Sequence, residues 1–477
     1  MKYLKFLLPI ALISLFLFLR FYNIKNSLFF FNDMGRDLSV LQNWQLSGKP
    51  PLLGPQTSVL PFNQSSIYFY YLYIFYLTTK GSVFSALFAN AFLYIVMYLF
   101  GLYVFKKDKT ITNILNICFF LISIHPQYII QSRFVWNPSL VTPFILSTFF
   151  SFYLLLQKYS KSRLWFFSLS MATAISISYS VIPIFIALLI YWLIFSRKYF
   201  VKLTFSMFTS FLLLNITTIF FEFRHGFLLT KSLLTKPASP QLSISIAQKF
   251  NDMAKFVINL PNQNWNKYIL LLFVLLSIIQ ILKEFKSSAS WRKRINFYIN
   301  IGFLLTFLAY FLLPVSIQAH YVFPIICLLF LIITSLPKIQ AIIIILMLSW
   351  VYLSPLNLVP YFSQARRTYK QMDACFAIVC KTEKNPMFVS VQSNFQPYHH
   401  GPEHRYLLKK NGCDVQNIEE NASTADKMAL VIDGGEYDPQ RTKFYELDLF
   451  GKSKIINKYN CLPNFKVYIL QKDNAKK

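Results

Sequence analysis

The chain is poor in charge, in glycine and above all in acids. Only 14% of its 477 residues are Asp, Glu, Lys or Arg, against roughly 25% in an ordinary soluble domain. That excludes a water-soluble globule of this length. Twelve glycines and no internal repeat argue against a transporter, whose broken helices and repeated halves carry alternating access. Of nineteen acidic residues, residues 1–356 hold six: Asp33, Asp37, Asp108, Glu222, Asp252 and Glu284. The rest crowd into the last quarter. This step divides the chain into a membrane region, 1–356, and a water-soluble tail domain, 357–477. Cysteine is scarce as well, and four of the six (Cys375, Cys380, Cys413, Cys461) lie in the tail.

What is abundant is apolar surface, 55% of all residues. Runs long enough to cross a hydrocarbon core of about 30 Å lie near 4–20, 83–105, 111–130, 139–156 and 164–181. Others follow near 182–196, 203–221, 268–282, 295–313, 321–336 and 339–356, which makes about eleven spans. The first reads as a retained anchor, because no small-residue cleavage site precedes Arg20-Phe21-Tyr22. The net charge of +28 sits in short clusters between these runs (Lys2 and Lys5, Lys106 to Lys109, Lys158 to Arg163, Arg197 to Lys202, Lys283 to Arg294). That pattern fits membrane orientation and not a nucleic-acid partner. Arg133 is the one basic residue in the short loops opposite. The cluster side is therefore cytoplasmic. The N-terminus lies inside the cell membrane, and loops 21–82 and 222–267 and the tail lie outside it.

The tail reads as a small α/β domain, with strands over Met387–Gln392, Met428–Ile432 and Phe465–Gln471 and a helix over Arg366–Val379. An outward location permits one or two disulfides among its four cysteines, with three pairings open.

Candidate chemistry collects at the outward ends. Asn32-Asp33-Met34-Gly35-Arg36-Asp37 opens a helix with apolar residues at 34, 38, 41 and 44, stopped by Ser47-Gly48-Lys49-Pro50-Pro51. Its amphipathic spacing suits the outer membrane surface. The plain reading has Asn32 or Asp33 capping the helix while Arg36 pairs with Asp33 or Asp37. Gly54-Pro55-Gln56-Thr57-Ser58 and Asn63-Gln64-Ser65-Ser66 follow, then the aromatic stretch 67–73. Further on lie Gln131 to Pro138 with Arg133, Trp136 and Asn137, then Phe221 to Phe227 with Glu222, Arg224 and His225, and last Gln318 to Pro324 with His320 and Tyr321. Several cations and few carboxylates suit a lipid phosphate. In the tail, His399-His400-Gly401-Pro402-Glu403-His404 lacks a standard zinc spacing and reads as a surface turn.

Taken in order, these pieces resemble the bacterial GT-C-fold membrane glycosyltransferases (family 39-like), relatives of protein O-mannosyltransferases and the aminoarabinose transferase. The matching residues are Asn32 to Asp37, Gly54 to Ser58, Arg133 to Pro138, Phe221 to His225 and His320 to Pro324. The resemblance implies an all-α polytopic fold followed by the tail. It also implies inverting transfer from a polyprenyl-phosphate sugar to an extracytoplasmic lipid, glycan or protein acceptor. Asp33 would be the base or acceptor-orienting group. Arg36 would meet the donor phosphate, with Arg133, Arg224, His225, His320 and Tyr321 around it. Asn63, Gln64, Trp136 and Asn137 would line the site, and in some relatives the loop aspartate, Asp33 here, stands near a divalent cation. The chain departs from its relatives at Pro61-Phe62-Asn63-Gln64-Ser65, which carries no acid or imidazole. Either Glu222 or Asp37 supplies a second carboxylate, or no metal is needed. The competing readings are a lipid-linked glycan flippase, a polysaccharide polymerase or ligase, and an inactive scaffold. Sugar, acceptor and metal requirement are left open.

Overall fold

The computed structural model describes residues 4–57, 62–195, 197–235, 245–260, 263–286, 291–312, 316–394, 400–435 and 444–473. Lys2, Ser58, Pro61 and His399 lie outside them. The chain forms two compact units. The first comprises Met1–Tyr22, Pro50–Phe75 and Phe84–Phe362, and the second Asn23–Lys49, Tyr76–Val83 and Ser363–Lys477.

The first unit is helical, and every apolar run noted above forms a helix. Among the described residues, five helices have the length and composition to cross a membrane: Leu7–Ser27, Ser85–Val104, Asn137–Gln157, Asn264–Phe285 and Ile295–Leu312. Three helix pairs have that length and composition only when taken together, each bent at a short break: Lys109–Ile124 with Pro126–Arg133 (67°), Tyr199–Leu214 with Ile216–Arg224 (65°) and Lys338–Tyr352 with Pro355–Phe362 (46°). The first bend is set by Pro126, which opens its helix, and by His125, whose Nδ1 accepts the Gln127 N–H at 3.2 Å. At the second, Asn215 donates from Nδ2 to Phe211 O and to Ser176 Oγ, both at 2.8 Å. The three other expected spans are helices Lys161–Ile177, Ile182–Phe195 and Phe323–Ser335. At 1.5 Å per residue they rise roughly 20–26 Å. The 3₁₀ turns Tyr179–Val181 and Ala319–Val322 interrupt the apolar runs, so fewer helices have full spanning length than the runs suggest.

The second unit carries a four-stranded sheet. Its strands are β1 (Met387–Ser393), β2 (Lys427–Asp433), β3 (Ser453–Leu462) and β4 (Phe465–Lys472), in the order β1-β2-β4-β3. β1 and β2 are parallel, and β4 is antiparallel to both of its neighbours. β1, β2 and β4 coincide with the expected strands. β3 is an additional edge strand bearing Lys454 and Lys458 on a largely exposed surface, the usual guard against edge-to-edge pairing. The expected helix is Tyr369–Thr382, begun by a capping box of Thr368 and Gln371. Two disulfides form, Cys375–Cys461 and Cys380–Cys413.

Candidate functional site

In the second unit, helix Asp33–Ser47 buries Met34, Leu38 and Leu41 and ends at Gly48, whose φ of +68° stops the turn. The apolar face does not serve a membrane surface, because it packs on tail helix Pro402–Lys410. At Gly35 the approach is so close that an added Cβ would stand 2.3 Å from Glu403 N and Cα. The capping reading does not hold, since Asn32 makes no side-chain cap bond and Asp33 is already helical. The pairing does hold. Arg36 Nη1 meets Asp33 Oδ1 at 2.5 Å, while Nε and Nη2 meet Asp37 Oδ1 at 2.8 and 2.7 Å. Asp37 is buried, and the Asp33 side chain keeps 21% of its exposure. Burial pushes the Asp33 carboxyl above its ordinary range, and the Arg36 charge opposes the shift. The result is a part-exposed carboxylate of raised basicity, held from one side by a guanidinium. Arg36 also lines an open groove of about 410 Å³ that carries charges of both signs, Arg405 and Lys409 together with Glu419, Glu420 and Glu446.

Asn32 has a φ of +38°, a region that few residues other than glycine occupy. Its N–H donates to Glu403 Oε2 at 3.1 Å. Glu403 lies in a fully buried charge cluster. Arg367 donates from Nε to Asp433 Oδ2 at 2.6 Å, from Nη2 to Glu403 Oε1 at 3.5 Å and from Nη1 to Phe30 O at 3.3 Å. Exposure is 2% at Arg367, 3% at Asp433 and 0% at Glu403. His404, also fully buried, lies 3.5 Å from Glu403 Oε1 and stacks on Phe465. The segment expected to be a surface turn is therefore a buried helix start. Gly401 takes the left-handed cap position and Pro402 the first turn.

In the first unit, the two polar motifs of the long loop pair with each other. Gly54 N–H donates to Gln64 O and Gln64 N–H to Pro55 O, both at 2.9 Å, and the Asn63 amide donates to Gly54 O. Asn137 Nδ2 donates to Gln64 Oε1 and to Ile177 O. Trp136 Nε1 donates to Gln131 Oε1 at 2.5 Å, and its ring lies 4.2 Å from that of His320. His320 in turn contacts Tyr321, whose carbonyl accepts the Tyr310 hydroxyl. Hydrogen bonds thus join Asn63, Gln64 and Asn137, while ring contacts join Trp136, His320 and Tyr321.

The other candidates are used elsewhere. Arg133 is buried, donates to Tyr22 O at 3.1 Å and lies over the Phe362 ring. Glu222 accepts the Leu229 and Thr230 N–H groups at 2.8 and 2.9 Å and the Thr230 hydroxyl at 2.5 Å. It caps the first turn of helix Leu228–Thr235. Arg224 and His225 are exposed. His225 stacks on Phe221, four residues earlier on the same helical face. Arg20, not singled out in the sequence, is fully buried and donates to Ser123 O and Ile122 O. Arg367 carries no signal in the sequence, and Glu403 stands in the segment expected to be a surface turn. The only local signal for Glu403 is Gly-Pro followed by buried Tyr406, Leu407 and Leu408.

Asp33 and Asp37 are both bound to Arg36, and no three His, Cys, Asp or Glu converge as ligands among the described residues.

The sequence matches no protein-family model and no curated protein. Its fold does have solved counterparts. It is similar to the crystal structure of ArnT from Cupriavidus metallidurans bound to undecaprenyl phosphate, with a TM-score of 0.61 and 8% identity. The alignment covers 99% of this chain and 98% of that one. It is likewise similar to the apo state of the same protein, with a TM-score of 0.60, 8% identity and coverage of 96% and 97%. The fold is that of a GT-C polytopic membrane protein with a small C-terminal sheet.

Proposed function

We propose that this chain transfers a glycosyl group from a polyprenyl-phosphate-linked sugar to an extracytoplasmic acceptor, with inversion at the anomeric carbon. The observation that carries this reading is the fold likeness, which runs the length of both chains to a structure that holds undecaprenyl phosphate. The Asp33-Arg36-Asp37 helix supplies the chemistry. Asp33 takes the proton of the acceptor hydroxyl. The hydroxyl oxygen forms the new bond to the anomeric carbon as the bond to the phosphate oxygen breaks. The electron pair leaves on the lipid phosphate. Arg36, bound to Asp33 and Asp37, lines the mixed-charge groove and is the group that supplies positive charge for that phosphate. The reading puts the N-terminus in the cytoplasm and the tail outside, an oxidising location that suits its two disulfides.

The test uses the purified full-length protein in lipid nanodiscs with a panel of polyprenyl-phosphate sugars, scoring release of the lipid phosphate. Release with at least one donor, dependent on an added acceptor, is expected. No release with any donor across the panel of lipid, glycan and peptide acceptors counts against the reading.

A further inference from the structure

The structure assigns the tail a part in the reaction: Glu403, held by Arg367, is the positioning residue for the Asp33 turn. This inference rests on the reading of Asp33 as the base. Three observations meet at Glu403. The first is the backbone leading into Asp33, which is held from the tail at two points. Asn32 N–H ends on Glu403 Oε2 at 3.1 Å, and the Phe30 carbonyl accepts from Arg367 Nη1 at 3.3 Å. Asn32 keeps its φ of +38° with no cap bond from its own side chain, so the buried carboxylate is a specific support for that conformation. The second is rigidity. Glu403, Arg367 and Asp433 are all at or below 3% exposure, so the anchor is packed rather than a solvated pair. The third is the contact at Gly35, where a Cβ would stand 2.3 Å from Glu403 N and Cα.

One residue therefore fixes both where helix Asp33–Ser47 lies and how its first turn begins. The direction of the Asp33 carboxylate follows from both. A displacement of about 1 Å at a reacting group lowers turnover on the order of 10²-fold.

The experiment compares the full-length wild type with Gly35→Ala, Glu403→Gln and Asp33→Asn in nanodiscs. Gly35→Ala alters no charge and pushes the two helices apart. Glu403→Gln keeps an oxygen for the Asn32 N–H but removes the charge that holds Arg367. The readouts are amide exchange over residues 29–37 and the split between kcat and donor KM. Gly35→Ala is expected to raise exchange there at least about tenfold while β1 and β2 stay protected. Its kcat is expected to fall about 10²-fold, with KM within about threefold. Glu403→Gln is expected to lose about tenfold in kcat. If Gly35→Ala also loosens β1 and β2, Glu403→Gln decides by the same readouts. Unchanged exchange over 29–37 overturns the contact. Loosened exchange with unchanged kcat, or a loss confined to KM, overturns the positioning role. Wild-type turnover in Asp33→Asn would remove the catalytic reading instead, and the exchange measurement would still judge the contact.

Discussion

Replacing Arg367 by Met would show how far the tail depends on its buried charge cluster. The arginine is 2% exposed and reaches three oxygen acceptors in different directions, Asp433 at 2.6 Å, Glu403 at 3.5 Å and the Phe30 carbonyl at 3.3 Å, as well as the Met372 sulfur at 2.6 Å. Met fills a similar volume but leaves two buried carboxylates without their cation. Removing one partner of a buried ion cluster is destabilising by about 3–5 kcal/mol, a large part of the roughly 5–15 kcal/mol that stabilises a folded unit. For units of roughly 150–250 residues, each kcal/mol shifts Tm by about 2–4 °C. The expected fall is therefore on the order of 10 °C. Arg367→Lys keeps the charge but loses the fork, because one ammonium cannot serve three directions, and its loss should be about half as large. The assay is thermal unfolding of the full-length protein in nanodiscs, followed by amide exchange in β1 and β2. A change of less than about 0.5 kcal/mol in Arg367→Met would refute the reasoning, since that is the range of a surface substitution.

Other expectations are simpler to check. Glu222→Gln should lower stability by about 0.5–2 kcal/mol through loss of a helix cap, yet leave turnover within about threefold; a loss near 10²-fold would restore Glu222 as a catalytic group. Protein denatured without reductant should alkylate only at Cys118 and Cys327, the two free cysteines; mass spectrometry showing modified Cys375, Cys380, Cys413 or Cys461 would contradict the pairing. Burial alone would raise the Glu383 carboxyl, but hydrogen bonds from Lys427, Asn457 and Tyr459 outweigh it and hold the group below its ordinary 4.5. The stability this contributes is complete above the unfolded value and is lost as pH falls through the lower folded value. Unfolding of Glu383→Gln should accordingly depend less on pH below about 4.5 than wild type, and an equal dependence would refute the assignment.

Much of the architecture follows from local pattern. The apolar runs become helices, and the helix at residue 33 follows from Met34, Leu38 and Leu41 and ends at Gly48. What those residues pack against was not legible, because helix Asp33–Ser47 and helix Pro402–Lys410 are some 370 residues apart and periodicity carries no information at that range. An amphipathic face in a membrane protein reads as membrane-facing, and here protein covers it. Gly401-Pro402 has the composition of a turn, but the same pair begins a helix, and the apolar residues behind it bury Glu403 and His404. Glu222 stands out in the sequence because a carboxylate at a membrane edge needs a partner. Its partners are the first N–H groups of the following helix, and that helix has no strong pattern of its own. β3 went unread because lysines interrupt its alternation, as edge strands require.

The carboxylate of Asp33 is the centre of the account, and its replacement by Asn is the most direct test. Asn keeps the size and an acceptor oxygen but cannot take a proton at neutral pH. Release of lipid phosphate by Asp33→Asn, with the donor that wild type turns over, should fall on the order of 10²–10⁴-fold while the tail's thermal stability stays within about 1 kcal/mol. Turnover within a few-fold of wild type would contradict the account.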